Sequence, residues 1–182
     1  MNRVVLLHGN GGSTGKDNWF PFIQNGLTEI GVESIAPNLP DAVRARAQYW
    51  LPYFEETLKL GENDVVVGHS SGALAILKYA ETHRLAGSVL VGTYFTDLGY
   101  EDERTSGYFD TSWDWQAIKK NQRWTAIFAS EDDPYIPINE PQHIRDQLGS
   151  DYFELPGEGH FGGSAPKLRF PELLAYLTTR LK

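Results

Sequence analysis

Cysteine is absent from this chain of 182 residues. That one absence removes disulfides, thiolate–metal sites and a cysteine nucleophile together. A fold that needs no disulfide has the cytoplasm as its default compartment. Basic residues are outnumbered, with 16 Lys+Arg against 24 Asp+Glu and a formal charge of −8. Without a Lys/Arg cluster the chain lacks the electrostatic footprint that nucleic acid or an anionic membrane surface would require. Long apolar runs are missing too. The N-terminus offers only Val4-Val5-Leu6-Leu7 between Arg3 and His8, too short for a signal-peptide core or a membrane span. Repeats, low-complexity tracts and Pro/Gly/Ser linkers are likewise missing, so a single domain over residues 1–182 is expected.

What remains is a globular balance of 41% hydrophobic and 22% charged residues. Short β-branched runs alternate with longer segments of helical period, the pattern of a parallel α/β sheet. Strands are expected over residues 3–7, 32–36, 64–68, 88–92, 125–129 and 152–155. Several are apolar at every position, as strands covered on both faces are. Helices are expected over 18–30, 43–60, 71–83, 115–121, 141–148 and 167–181, the last with a stripe of Leu168, Leu173, Leu174, Leu177 and Leu181. One connection is long. Residues 93–114, about 20 in all, carry Tyr94, Phe95, Tyr100, Tyr108, Phe109 and Trp113. Such rings serve either as anchors into the core or as a pocket wall.

Gly68-His69-Ser70-Ser71-Gly72 fits the pattern G-x-S-x-G. The bare pattern is weak, but its setting is specific. Asp64-Val65-Val66-Val67 precedes it as a buried strand, and Ala73-Leu74-Ala75-Ile76-Leu77 follows as a strong helix former. A nucleophilic serine at this turn needs a sharp, strained backbone that lifts its hydroxyl clear of the sheet edge. The flanking glycines allow strand and helix to approach closely. The Ser71 N–H, at the helix start, then points at a developing oxyanion with the helix dipole behind it. The plain alternative is an ordinary Gly-rich strand-to-helix turn.

A serine hydroxyl needs a base, and the base needs an orienting acid. Of the five histidines, His69 lies inside the turn with its ring expected to point away. His83 reads as a helix C-terminal residue, His143 sits early in a polar helix, and His8 is expected to shape the first turn. His160, in Gly157-Glu158-Gly159-His160-Phe161, occupies a loop between the last strand and the last helix, where open α/β sheets place their chemistry. The acid is expected in Ser130-Glu131-Asp132-Asp133-Pro134. Asp133 is favoured because Pro134 and Pro137 fix the turn after it, with Asp132 as runner-up. The order Ser70, Asp133, His160 is that of the α/β-hydrolase architecture. The loop His8-Gly9-Asn10-Gly11-Gly12 supplies the second oxyanion donor, Asn10 N–H first and Gly11 next.

That Gly-rich loop also raises phosphate binding. Against G-x-x-x-x-G-K-[ST], Gly15-Lys16 fits, but Asn10 stands at the first glycine and Asp17 at the hydroxyl position. Against G-x-G-x-x-G, Thr14 replaces the third glycine. Both fail at residues with a mechanical role, and the Asp17 carboxylate would repel phosphate.

The chain resembles the small serine hydrolases of the retinoblastoma-binding protein 9 family, a compact branch of the α/β-hydrolase fold. The resemblance is carried by Asn10-Gly11-Gly12, Trp19, Asn38-Leu39-Pro40-Asp41, Trp50-Leu51-Pro52 and Gly68-His69-Ser70-Ser71-Gly72-Ala73. It continues through Tyr79-Ala80-Glu81-Thr82-His83-Arg84, Ser106-Gly107-Tyr108-Phe109, Asp132-Asp133-Pro134 and Gly159-His160-Phe161. It implies Ser70 as nucleophile, Asp133 as acid and His160 as base. It also implies about six parallel strands with helices on both faces, no large cap domain and no cofactor. The family's name comes from binding a retinoblastoma-type pocket through Leu-x-Cys-x-Glu. The matching positions here read Leu58-Lys59-Leu60-Gly61-Glu62, and without cysteine that partner is not supported. The expectation is a hydrolase of small carboxylic esters, thioesters or amides. Its lining would come from residues 93–114, residues 10–19 and Trp50, forming a shallow site. A catalytically silent interaction module on the same fold is the alternative.

Overall fold

The computed structural model describes residues 3–163 and 166–181; the remaining positions of the expected 1–182 domain lie outside the described residues. Six parallel strands form one sheet in the order β2-β1-β3-β4-β5-β6. They are β1 (Arg3–Leu7), β2 (Ser34–Ile35), β3 (Asp64–His69), β4 (Gly87–Val91), β5 (Thr125–Ser130) and β6 (Asp151–Leu155). Among the described residues, seven α-helices accompany them: α1 (Phe20–Glu29), α2 (Ala47–Pro52), α3 (Ser71–Ala80), α4 (Glu101–Arg104), α5 (Trp115–Lys120), α6 (Asn139–Leu148) and α7 (Pro171–Arg180). Among the described residues, no large cap domain interrupts them.

The all-apolar strands are apolar because both faces of the sheet are covered. Val5, Leu7, Val66, Leu90 and Ile127 point into one core with α2, α3, α5 and α6. Val4, Leu6, Val65, Val67, Val89, Val91 and Phe128 point into the other, against Phe20, Ile23 and Leu27 of α1 and Leu173 and Leu177 of α7. Helix α3 is buried nearly all round, so its apolar residues pack on every side.

Two expected helices, 43–60 and 167–181, differ most from the observed ones. Residues 43–46 do not join α2, because Asp41 and Ala45 take positive φ and the Asp41 carboxylate holds Arg46 at 2.8 Å. After Pro52, which has no N–H to donate, the chain passes into a π-helical turn over Tyr53–Thr57. Helix α7 starts at Pro171 rather than at residue 167, since a residue before proline is pushed out of helical φ/ψ and Phe170 sits at φ −142°. Leu168 therefore leaves the expected stripe and is 65% exposed. Helix α4, inside the long connection, is an element that sequence periodicity does not reveal.

Candidate active site

Ser70 stands between β3 and α3 at φ 55°, ψ −121°, a backbone region that costs a non-glycine residue about 1–3 kcal/mol. The surroundings hold it there. Its N–H donates to Val91 O at 2.9 Å, and its carbonyl accepts from Ala73 N and Leu74 N at 2.9 and 3.1 Å. A Cβ on Gly68 would lie 2.5 Å from the Gly72 carbonyl carbon, and one on Gly72 would lie 2.4 Å from Leu7 O. Both positions therefore need glycine for the close approach of β3, α3 and the end of β1.

On one side of Ser70 lie His160 and Asp133. The His160 Nδ1–H donates to Asp133 Oδ2 at 2.7 Å, which leaves Nε2 as the unprotonated nitrogen. The other Asp133 oxygen accepts the backbone N–H groups of Tyr135 at 2.9 Å and Ile136 at 3.1 Å. Its carboxylate is 3% exposed, so the acid is buried with both oxygens accepting hydrogen bonds. Asp132 points elsewhere: its Oδ1 accepts from Ser130 Oγ at 2.7 Å and Gly159 N at 3.0 Å. It fastens the loop before His160 to the end of β5 without touching the imidazole. No hydrogen bond joins Ser70 Oγ to His160 among the described residues; both line one cleft. Such bonds are often long before substrate arrives.

His69 does not point away. Its Nε2–H donates to the His160 carbonyl at 2.7 Å, and the two rings lie 4.9 Å apart. Burial above all, then the neighbouring His160, pushes the His69 pKa down to about 3, so its ring is neutral and its tautomer is set by the carbonyl. Trp19 Nε1–H donates to Phe161 O at 3.0 Å and pins the next residue of the same loop. The sequence assigned neither role; Trp19 stood among the positions of the resemblance and at the end of the expected 10–19 lining, but it is fully buried and does not line the cleft.

On the other side lies the first loop. His8 does shape it: its Nδ1–H donates to Gly9 O at 2.8 Å and its Nε2 accepts from Leu39 N at 2.9 Å. Burial lowers its pKa, and a neutral ring is what this pair of bonds requires. Gly11 N–H is occupied by Val43 O at 3.0 Å. Among the described residues, Asn10 N–H and Ser71 N–H have no such partner. A Cβ on Gly9 would come within 3.1 Å of Ser70 Cβ, so this loop lies directly against the serine. Two other histidines are structural: His83 stacks on Tyr79 at 4.0 Å and His143 on Phe95 at 4.2 Å.

The cleft encloses about 920 Å³, with Tyr94, Leu98, Tyr100, Tyr135, Ile136 and Leu168 among its walls. That volume lies towards the upper end of ligand-pocket volumes. Trp50 does not line it. That ring is fully buried under His8, and its Nε1–H donates to Pro40 O at 2.6 Å. The aromatic connection divides its labour. Tyr94 and Tyr100 line the cleft, whereas Phe95, Tyr108, Phe109 and Trp113 pack into the core. Glu140, 5% exposed, fixes its start by accepting from Phe95 N, Thr96 N and Thr96 Oγ1. Among the described residues, no three His, Asp or Glu side chains converge as metal ligands would.

A family model described as serine hydrolase matches residues 4–179. The serine hydrolase RBBP9 of Rattus norvegicus is 38% identical over 181 residues, covering 98% of this chain and 95% of its own. The crystal structure of the ydeN gene product of Bacillus subtilis superposes with a TM-score of 0.90 at 26% identity, covering 100% of this chain and 99% of that one. Est1E of Butyrivibrio proteoclasticus shares the fold, with a TM-score of 0.74 at 15% identity over 99% of this chain and 88% of its own.

Proposed function

The chain belongs to the serine hydrolase family, and on that premise we propose that it cleaves small carboxylic esters through an acyl-enzyme on Ser70. Thioesters and amides are further acyl donors that the same triad serves. In the first half-reaction His160 Nε2 takes the Ser70 proton as Oγ bonds to the carbonyl carbon. The Asn10 and Ser71 N–H groups receive the negative charge on the carbonyl oxygen. His160 then gives its proton to the leaving oxygen, the ester bond breaks, and the acyl group remains on Ser70. Water, deprotonated by His160, attacks the acyl carbon, and the acid departs as Ser70 recovers its proton. Asp133 stays ionised and holds the imidazole in its Nδ1–H tautomer.

One observation supports this reading most. A buried carboxylate, held by two backbone N–H groups, orients an imidazole that lines the same cleft as a serine held at positive φ. The proposed compartment is the cytoplasm, since a chain without cysteine needs no oxidising environment. Among the described residues no helix is long and apolar enough to cross a membrane. The test is turnover of short p-nitrophenyl esters by the wild type and by Ser70→Ala. Hydrolysis that falls by several orders of magnitude in the variant supports the reading. Hydrolysis that survives it contradicts the reading, and a folded wild type without turnover points to a binding role.

A further inference from the structure

Glu103, from the short helix α4 inside the long connection, reaches into the cleft. Its Oε1 accepts from the Asn10 side-chain amide at 3.2 Å, and its Oε2 accepts from Tyr94 Oη–H at 2.8 Å. Tyr94 Oη in turn lies 3.4 Å from Ser71 Oγ. With the phenol proton given to Glu103, the tyrosine oxygen is the acceptor and Ser71 the donor. Every bond in this chain is therefore directed at one carboxylate. Its two ends are the residues whose backbone N–H groups form the oxyanion site.

We propose that Glu103 is a positioning residue that couples the two halves of the oxyanion site, Asn10 and Ser71, through their side chains. The inference rests on the serine-hydrolase reading given above. Asn10 stands in a loop among glycines at positive φ, Gly11 and Gly12, where backbone direction is weakly determined by local preference. Ser71 belongs to a helix seated on the sheet. The helix fixes the backbone of Ser71, whereas that of Asn10 depends on contacts made by its loop. A shared acceptor sets the distance between them.

The charge of Glu103 gives the test its sign. A carboxylate beside a developing oxyanion opposes it, so removing the charge alone would raise kcat. Removing the coupling misplaces a donor, and displacements of about 1 Å cost on the order of 10²-fold. A second possibility is that Glu103 merely anchors α4. Because Glu101 and Asp102 of α4 also line the cleft, loss of that anchor raises KM and leaves kcat in place.

The experiment is steady-state hydrolysis of p-nitrophenyl acetate by Glu103→Gln, Tyr94→Phe, the double variant and Ser70→Ala, each with a thermal melt. Glutamine keeps one acceptor oxygen and turns its amide towards the other donor. For Glu103→Gln, kcat is expected to fall about 10–100-fold with KM changed less than about threefold. Tyr94→Phe is expected to give a smaller fall, and the double variant no more than Glu103→Gln alone. Should Glu103→Gln melt early, Asn10→Ala keeps the backbone N–H, removes one bond to Glu103, and is expected to lower kcat likewise. An unchanged or raised kcat in Glu103→Gln, an effect confined to KM, or additive losses in the double variant would overturn the proposal. Activity retained by Ser70→Ala would instead overturn the serine-hydrolase reading beneath it.

Discussion

On one side of the cleft Asp133 receives two backbone N–H groups and an imidazole, whereas on the other Glu103 receives a side-chain amide and a phenol. The first carboxylate sits on a tight strand-end turn, and its partners lie two, three and 27 residues away. The second sits on a four-residue helix in a long connection, and its partners are nine and 93 residues away. Backbone donors on a short turn hold an acid rigidly, because the turn cannot form without presenting them. Side-chain donors can be lost one at a time. The base side is thus built into the fold, and the opposite side is assembled on top of it.

The largest expected effect breaks the base side. Asp133→Asn keeps the shape but lets the amide stabilise the wrong imidazole tautomer, and kcat is expected to fall about 10⁴-fold. Asp132→Asn, measured beside it, is expected to lose tenfold or less, because Asp132 only fastens Ser130 and Gly159. Equal losses in the two would erase the distinction drawn between these neighbouring carboxylates.

A second prediction concerns the neutral histidines beneath both sides. His69 has a folded pKa of about 3 and an unfolded value near 6.5, and burial shifts His8 in the same direction. Below about pH 6.5 the unfolded chain binds protons that the folded one refuses, so stability present above that pH is lost as pH falls towards 3. Denaturation at a series of pH values should show this slope, and His69→Asn should flatten it. A third prediction touches the frame itself. Gly72→Ala places a methyl 2.4 Å from Leu7 O and is expected to lower stability by about 1–3 kcal/mol in chemical denaturation. The smallest expected effect is at the rim. The Tyr135 ring is 52% exposed and lies edge-on to His160 at 5.2 Å. Tyr135→Ala is expected to change KM about threefold and kcat less, since the ring can touch substrate without entering the chemistry.

The same contrast explains what could be read from the chain alone. The central strands β1, β3 and β4 were legible because burial on both faces demands apolar runs, whereas the edge strands β2 and β6 are short or partly exposed. Ser70 and His160 stood out because glycine and strand ends punctuate their loops. Asp133 could be ranked above Asp132 but not separated from it, because the distinction lies in which carboxylate the turn directs inwards. Glu103 carried no signal. It lies in a stretch without period, and its partners come from distant segments. His69 was misjudged for a related reason: its acceptor is a backbone carbonyl 91 residues away. The start of α2 was obscured by the Asp41–Arg46 pair, and Trp50, expected to line the pocket, is claimed by the core.

The measurement that bears most directly on the account is reaction with a fluorophosphonate, followed by intact mass and peptide mapping, with Ser70→Ala as control. One label per chain on the peptide carrying Ser70, absent in the variant, is the result predicted for a serine activated by His160 and Asp133. A folded protein that takes no label, or takes it on a different residue, would contradict the account.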